Sequence, residues 1–338
     1  MSASAFFVVG IAGEALSGGE RAVFREYPPG GVILFSRNVV SEAQLSALVA
    51  DIRSELPDAF LCVDQEGGRV DRFRAITAAS PSFSAAARAG ASDLAGTLAG
   101  EICAAFGIDW DLAPVVDRSV EGAGRTILAG RAASDRGDEV VFAGRGFLGA
   151  LAAFGVAGCL KHFPGLGRAA VDSHLVLPRL SAQRTEMEED LAPFRALAAS
   201  APAVMVSHAA VGETSLPATL DPAVAADLLR RDVGFRGVAV SDDLEMGALA
   251  EFGGLPERAA AAFSAGCDVL CLGKETAELP DSAAAVEARA SAARLDEAAA
   301  RLAAFRAELG RLKRERRLAP RPVPEIAAAF RRATERLG

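Results

Sequence analysis

Short apolar runs recur along the chain, and each is followed by polar residues, glycine or proline. The runs are too short for buried helices, and several are rich in Val and Ile, which favour strands. Most do not alternate between apolar and polar residues, so both faces of each strand should be buried, as in a parallel sheet. The eight predicted strands are Phe6–Ile11, Gly31–Phe35, Phe60–Val63, Ile108–Leu112, Val156–Leu160, Ala203–Val206, Val238–Val240 and Val269–Leu272.

In many of the segments between these runs, the apolar residues recur with the spacing of a helix. Ser41–Leu56 opens with a serine that can cap a helix, and Leu45, Leu48, Val49 and Ile52 fall on one face. The other predicted helices are Ser84–Phe106, Asp138–Phe154, Thr185–Ala199, Asp221–Arg231 and Glu257–Ala265. Eight strands alternating with helices predict an α/β fold, a (β/α)8 barrel. A doubly wound sheet is the alternative, but no Gly-x-Gly-x-x-Gly motif follows the first strand.

More than sixty residues follow the last predicted strand. Ala283–Leu309 and Glu325–Leu337 have helical patterns, and three prolines separate them. No linker or low-complexity segment divides the chain. We therefore expect residues 1–338 to form a single domain, with residues 281–338 as peripheral helices outside the barrel.

Charged and titratable residues cluster after the predicted strands, where (β/α)8 barrels carry their chemistry. Within the first cluster, one of Arg69 and Arg72 can pair with Glu66. We expect the clusters to converge at one mouth of the barrel. They comprise Asp64, Glu66, Arg69 and Arg72 after the third strand, Asp109, Asp111, Asp117 and Arg131 at the fourth, Lys161, His162, Asp172 and His174 after the fifth, His208 after the sixth, and Asp242 and Asp243 after the seventh.

Some of these residues also have a purely structural interpretation. Asp109 and Asp111 can bond to backbone or to neighbouring strands. His208 is as readily a hydrogen-bonded core residue as a pocket wall. Asp242 and Asp243 can cap a helix that begins in the LEMGA segment after them. The concentration of polar groups after strands is what these interpretations explain poorly.

A pocket that combines several carboxylates with Lys, Arg and His suits a polyhydroxylated substrate. Cleavage of a sugar needs a nucleophile and an acid/base on either side of the glycosidic bond. Asp242 is a candidate nucleophile, although in a strand Asp242 and Asp243 face opposite sides and periodicity leaves open which one faces the axis. Asp172 beside His174 would stabilise an imidazolium, a suitable proton donor near neutral pH.

Composition narrows the function classes. The chain of 338 residues is 51% hydrophobic with a net charge of −8, which argues against a general nucleic-acid binder or a basic membrane-surface protein. The start of the chain lacks the basic region of a signal peptide, and no apolar stretch is long enough for a membrane span. The five scattered cysteines are expected to be buried thiols in a reducing, cytoplasmic protein, with no metal site and no cofactor.

Five motifs together carry a family resemblance. They are GGVILFSRN (Gly30–Asn38), DQEGGRVDRF (Asp64–Phe73), DLAPVVD (Asp111–Asp117), KHFPGLG (Lys161–Gly167) with DSH (Asp172–His174), and GFRGVAVSDDLEM (Gly234–Met246). On these motifs the chain resembles, over nearly its full length, the single-domain bacterial β-N-acetylglucosaminidases of glycoside hydrolase family 3 that act in cell-wall recycling.

The resemblance implies a retaining, exo-acting enzyme that works on GlcNAc-containing muropeptides, as a monomer. Asp242 matches the family nucleophile, His174 the mobile acid/base and Asp172 its partner. Positions that hold the terminal N-acetylglucosamine correspond to Asp64, Arg72, Arg131, Lys161 and His162.

Two departures from the family pattern bear on substrate preference. Leu166 stands where the family usually has a second histidine, and Ala133 replaces an aromatic residue. The alternative functions are a β-N-acetylglucosaminide phosphorylase or a β-glucosidase of the same family, or a sugar-binding protein that has lost turnover.

Overall fold

A computed structural model describes residues 2–120, 128–169, 177–180, 183–274 and 276–337. Eight parallel strands lie in one sheet with the order β4-β3-β2-β1-β8-β7-β6-β5. Parallel bridges from Trp110 to Ala157 and from Val115 to Lys161 join β4 to β5 and close the barrel. The predicted (β/α)8 barrel is confirmed. The strands are β1 Phe7–Gly10, β2 Gly31–Leu34, β3 Phe60–Val63, β4 Trp110–Asp111, β5 Cys159–Phe163, β6 Ala203–Val206, β7 Val238–Asp243 and β8 Val269–Leu272.

Strands β3, β6 and β8 begin and end where the apolar runs predict, and the other five differ. Strands β1, β2 and β4 are shorter than predicted, and β5 and β7 end later than predicted. The predicted strand at Val156 begins late, because the Val156 N–H donates to Leu151 O at the end of the preceding helix. Strand β7 runs on to Asp243, because Ser241 pairs with Val206 and Asp243 with Cys271 on the neighbouring strands. This extension carries both acidic residues to the end of the strand.

The helices surround the sheet. None of the helices in the described part of the chain is both long and apolar enough to cross a membrane. They are α1 Gly18–Glu26, α2 Glu42–Glu55, α3 Arg74–Thr77, α4 Phe83–Arg88, α5 Ser92–Ala105, α6 Gly137–Ala153, α7 Arg184–Leu197, the π-helical α8 Ala223–Asp232, α9 Leu255–Ala265, α10 Leu279–Arg289, α11 Ala292–Arg314 and α12 Val323–Leu337.

Two helices predicted as continuous are each split, so those predictions are wrong in detail. Between α4 and α5 the chain turns at Gly90, whose φ of 66° lies in the left-handed region that favours glycine. Between α10 and α11, Ser291 accepts a hydrogen bond from the Arg294 N–H at 3.2 Å and starts a new helix. The capping serine of α2 is confirmed, because Ser41 Oγ accepts from Gln44 N–H.

The C-terminal helices pack against the barrel. On β4 the buried Trp110 ring contacts Phe60 of β3 and Phe305 of α11, with centroid distances of 5.6 and 4.8 Å. Helix α12 packs against α3 and α5. Asp268, fully buried just before β8, binds arginines from α8 and α11 at 2.6 to 3.1 Å.

All five cysteines are buried, unpaired thiols, as the sequence predicts. Burial raises the pKa of each thiol above its usual range. These side chains therefore act as small apolar residues of the core.

Candidate functional site

A cavity of about 640 Å³ opens at the C-terminal ends of the barrel strands. Ile33, Leu112, Met205 and Cys271 give it an apolar part. Its charged and histidine residues come from most of the strand ends, so the predicted convergence is largely confirmed. They are Arg37, Asp64, Glu66, Arg69, Arg72, Arg131, Lys161, His162, Asp242, Asp243, Glu245 and Lys274.

A continuous set of ion pairs crosses one wall of this cavity. Asp64 lies between two cations, with Lys161 Nζ 2.9 Å from Oδ1 and Arg72 Nη2 3.1 Å from Oδ2. Lys161 Nζ also contacts Glu66 Oε1 at 2.6 Å. Arg131 then grips both oxygens of Glu66, at 2.7 and 2.9 Å. From the sequence, Arg69 or Arg72 is expected to pair with Glu66. Arg72 pairs with Asp64, and the cations that contact Glu66 include Arg131 and Lys161.

Mutual compensation keeps these buried groups charged. Burial alone would raise the pKa of Asp64, but Lys161 and Arg72 outweigh it and hold that pKa below its usual value. The same competition holds the pKa of Glu66 well below its usual range. Burial would lower the pKa of Lys161 and of Arg131, yet the neighbouring carboxylates raise both. The wall therefore presents fixed charges at neutral pH.

His162 extends this set to Asp117. Arg131 Nη2 lies 3.0 Å from His162 Nε2, and His162 Nδ1 lies 2.7 Å from Asp117 Oδ2. Because a guanidinium can only donate, Nε2 accepts and the ring proton sits on Nδ1. Asp117 also accepts the backbone N–H of His162 at 3.1 Å and of Leu166 at 2.7 Å. One buried carboxylate therefore fixes both the imidazole and the loop that follows β5.

The two acids at the end of β7 have different surroundings. Asp243 Oδ1 accepts the backbone N–H groups of Glu245 and Gly273, each at 3.1 Å, and burial raises the pKa of this carboxyl. Asp242 Oδ1 accepts the Asp243 N–H at 2.9 Å, and the ion pairs described above for Arg72, Arg131 and Lys161 go to Asp64 and Glu66 and not to Asp242. The Asp242 carboxylate is thus the less constrained of the two.

The helix predicted immediately after these acids is wrong. Residues 244–246 form a turn that Asp243 closes by accepting from the Glu245 N–H, and a short 3-10 helix spans Gly247–Leu249. The first full helix after β7 is α9.

Asp109 does not reach the cavity, which corrects the expectation that it joins the mouth. It precedes β4, where its Oδ2 accepts the Leu61 N–H at 2.7 Å and binds Arg53, while Lys313 of α11 pairs with Oδ1. The structural interpretation of Asp109 is confirmed. Asp111 is fully buried, and its Oδ1 accepts the Gln65 N–H at 2.8 Å.

His208 is a hydrogen-bonded core residue. It is fully buried, with Nδ1 2.8 Å from Thr219 Oγ1 and Nε2 2.8 Å from Asp243 O. The pocket-wall interpretation is therefore wrong for His208. Burial lowers the pKa of its imidazole, although the nearby Asp242 acts in the opposite direction.

Asp172 and His174 lie outside the described residues. Of the two departures from the family pattern, Leu166 is buried and lines the cavity, which makes that part of the wall apolar. Ala133 is also buried and lines a separate depression beside Phe142.

Two residues shape the site more than the sequence alone indicates. Glu66 anchors Lys161 and Arg131, and Asp117 anchors His162. Glu66 lies in the DQEGG motif and Asp117 in the DLAPVVD motif, and only this position within a motif could have indicated their importance. Their spacing and charge do not distinguish them from other acidic residues.

Comparisons with known proteins agree with this geometry. The family model "Glycosyl hydrolase family 3 N terminal domain" matches residues 10–305. A β-hexosaminidase of Alkalilimnicola ehrlichii is 40% identical over 279 residues, which cover 78% of this chain and 79% of the relative. One from Methylococcus capsulatus is 39% identical over 272 residues, covering 77% and 80%.

Solved structures give the same result. A family 3 β-N-acetylglucosaminidase from Paenibacillus superposes with a TM-score of 0.89 at 28% identity, covering 99% of this chain and 68% of that one. NagZ from Neisseria gonorrhoeae, in complex with N-trifluoroacetyl-D-glucosamine, superposes with a TM-score of 0.80 at 29% identity, covering 98% and 96%. The chain therefore belongs to glycosyl hydrolase family 3 and is a glycoside hydrolase.

Proposed function

We propose that this protein is a retaining exo-β-N-acetylglucosaminidase that removes terminal β-linked GlcNAc from muropeptide fragments. The observation that carries the proposal is the placement of Asp242. Its carboxylate lines the same cavity as the wall of fixed charges, whose ion pairs within the described residues go to Asp64 and Glu66. A nucleophilic carboxylate needs this combination, because a tight cation partner would reduce its reactivity.

The mechanism has two steps. Asp242 attacks the anomeric carbon while His174, paired with Asp172, protonates the departing glycosidic oxygen, so that a glycosyl ester forms as the aglycone leaves. Water then gives its proton to His174 and attacks the same carbon, which frees Asp242 and yields GlcNAc with net retention. The roles of His174 and Asp172 rest on the DSH motif.

The charged wall is suited to holding the terminal sugar. Asp64 can accept from hydroxyls, while Arg72, Arg131 and Lys161 can donate to them. His162 lines the same cavity beside Arg131. The relatives named β-hexosaminidase and the gonococcal complex with an N-acylglucosamine support GlcNAc as the sugar.

Replacing each acid of β7 with its amide tests the nucleophile. We expect Asp242→Asn to lower the kcat for 4-nitrophenyl N-acetyl-β-glucosaminide by on the order of 1,000-fold or more, because the bond-forming oxygen loses its charge. Asp243→Asn is the matched control. It keeps an oxygen that can accept from Gly273 and Glu245, so it should retain at least about a tenth of the activity. Equal losses in both variants would contradict the assignment.

The aglycone is tested with natural fragments. We expect the protein to release GlcNAc from GlcNAc-anhydroMurNAc-peptide, with the β-anomer as the first product by NMR. Adding phosphate should leave the product unchanged. Formation of a sugar 1-phosphate would instead favour a phosphorylase, and faster cleavage of an aryl β-glucoside would favour a β-glucosidase.

The setting is part of the same proposal. Five unpaired, buried thiols support a reducing compartment such as the cytoplasm. We expect a monomer in solution, and light scattering should give a mass near 34.8 kDa.

A further inference from the structure

Hydrogen bonds hold Asp243 through its backbone N–H, its backbone carbonyl and its side-chain Oδ1. Its carboxylate accepts from Glu245 and Gly273, and its carbonyl oxygen accepts the Met246 N–H at 3.0 Å and lies 2.8 Å from His208 Nε2. Its own N–H is directed at Asp242 Oδ1, at 2.9 Å. The residue that orients the Asp242 carboxylate is thus itself immobilised from three directions.

The contact with His208 has a defined polarity. A carbonyl oxygen can only accept, so His208 Nε2 carries a proton and donates it to Asp243 O. On the other side of the ring, Nδ1 contacts Thr219 Oγ1, which in turn lies 2.6 Å from Ser207 O. The imidazole therefore links the end of β6 to the end of β7, and His208 and Thr219 are both fully buried.

Gly273, which directly follows β8, holds the Asp243 carboxylate from the neighbouring strand. A Cβ at this position would lie 2.2 Å from Asp243 Oδ2, closer than any stable contact. Only glycine leaves room for the Asp243 carboxyl beside the backbone N–H that it binds.

We propose that His208 is a positioning residue for the Asp242 nucleophile and acts through the backbone of Asp243. It holds the Asp243 peptide so that its N–H keeps one oxygen of Asp242 occupied and leaves the other available to the cavity that Asp242 lines. This inference rests on the proposed function, in which Asp242 is the nucleophile. It adds a role for a buried histidine that does not line the cavity.

The orientation of the Asp242 carboxylate matters because its attacking oxygen must lie close to the anomeric carbon and in line with the glycosidic bond that breaks. A displacement of about 1 Å can lower such a rate by about 100-fold. Loss of the contact from His208 to Asp243 should therefore slow the first chemical step, without changing how the ground-state sugar binds.

Two amide substitutions at position 208 separate the two ring contacts. In His208→Gln, the amide nitrogen reaches close to the place of Nε2 and can still donate to Asp243 O. In His208→Asn, the shorter side chain places its amide near Nδ1, so it retains the Thr219 contact and loses the donor to Asp243. Both variants are neutral, polar and similar in size, so they serve as matched controls for folding.

We expect His208→Asn to lower the single-turnover rate of 4-nitrophenol release by about 10-fold to 100-fold, with the KI for GlcNAc unchanged. His208→Gln should stay within about threefold of the native rate. The Tm values of the two variants should be similar. Equal rates in the two variants, whether both native-like or both reduced, would overturn the role of the donor to Asp243.

The result for Asp242→Asn distinguishes this failure from failure of the proposed function. If Asp242→Asn keeps near-native turnover, the nucleophile assignment is wrong. If Asp242→Asn is inactive and the position 208 variants turn over equally, the nucleophile stands and the positioning role fails.

Discussion

Two buried carboxyl groups near the cavity, Glu66 and Asp111, have opposite electrostatic surroundings. Glu66 contacts Arg131 and Lys161, and these cations hold its pKa well below the usual range despite burial. Asp111 has one backbone donor, its Oδ2 has no hydrogen-bond partner among the described residues, and burial raises its pKa well above the usual range. The surroundings of Glu66 thus favour its charged form, whereas those of Asp111 favour its protonated form.

This contrast predicts a pH-dependent gain in stability for Asp111→Asn. Well below about pH 4, the usual pKa of an aspartate, Asp111 is protonated in both the folded and the unfolded protein and costs nothing. As the pH rises above that value, the folded protein binds the Asp111 proton more tightly than the unfolded chain does, because burial raises the pKa, so the native aspartate increasingly destabilises the fold. Asparagine has no such cost. Urea unfolding should show the variant gaining stability over the native protein from pH 4 to pH 7, and a variant less stable at pH 7 than at pH 4, relative to native, would contradict this.

The role of a residue could be predicted where the residue belongs to a motif. It could not be predicted where the role depends on contacts with residues distant in the sequence. The five positions proposed to hold the sugar all line the cavity. Strand periodicity left Asp242 and Asp243 equivalent, because the difference between them comes from Gly273 on another strand. The burial of His208 depends in the same way on Thr219, which no local pattern connects to it.

At the scale of elements, the packing of α5 against α6 depends on glycine. A Cβ on Gly96 of α5 would lie 2.6 Å from Phe147 O and 2.7 Å from Phe147 Cα, both backbone atoms of α6. Gly149, also on α6, is exposed and has nothing within 4 Å of the same point. Glycine is therefore required by helix packing at position 96 and is not required by packing at position 149.

Alanine at each position should reveal this difference. Gly96→Ala should destabilise the protein by about 1–3 kcal/mol, because the two helix backbones must separate. Gly149→Ala should stabilise it by about 0.5–1 kcal/mol, because alanine loses less backbone entropy in a helix. Chemical denaturation of both variants gives the two free energies, and the same sign for both would refute the close approach.

Elements were more predictable than their boundaries. Apolar runs located all eight strands, since each is buried on both faces and therefore continuously apolar. The two split helices escaped detection because alanine-rich sequence continues across each break. The breaks depend on a glycine in the left-handed region and on a serine cap. Glycine and serine also occur inside continuous helices, so the residue type alone does not predict a break.

At the scale of the whole molecule, the C-terminal helices share their contacts with the barrel. The single tryptophan, Trp110, lies on β4 and touches Phe305 of α11. Asp268 joins α8 and α11 to the start of β8 through three arginines. These contacts favour one cooperative domain, with the last helices as part of it.

We therefore expect a single unfolding transition. Tryptophan fluorescence, which reports on the contact between Trp110 and Phe305, should change at the same urea concentration as circular dichroism, which reports on all helices. Asp268→Asn should lower the midpoint for both signals together, whereas Asp227→Asn, in an exposed pair with Arg231, should shift it little. Fluorescence and dichroism transitions at separate midpoints would show that the C-terminal helices unfold independently.

The ion pairs that run from Arg72 to Asp117 also have a consequence for recognition. The side chains on that wall hold one another in place through these pairs, so an arriving sugar does not have to order them. The same rigidity makes the wall intolerant. A deoxy analogue would displace water from a charged side chain without replacing its hydrogen bond, and that side chain could not move to another partner. The binding free energy should therefore fall by more than the contribution of one hydrogen bond.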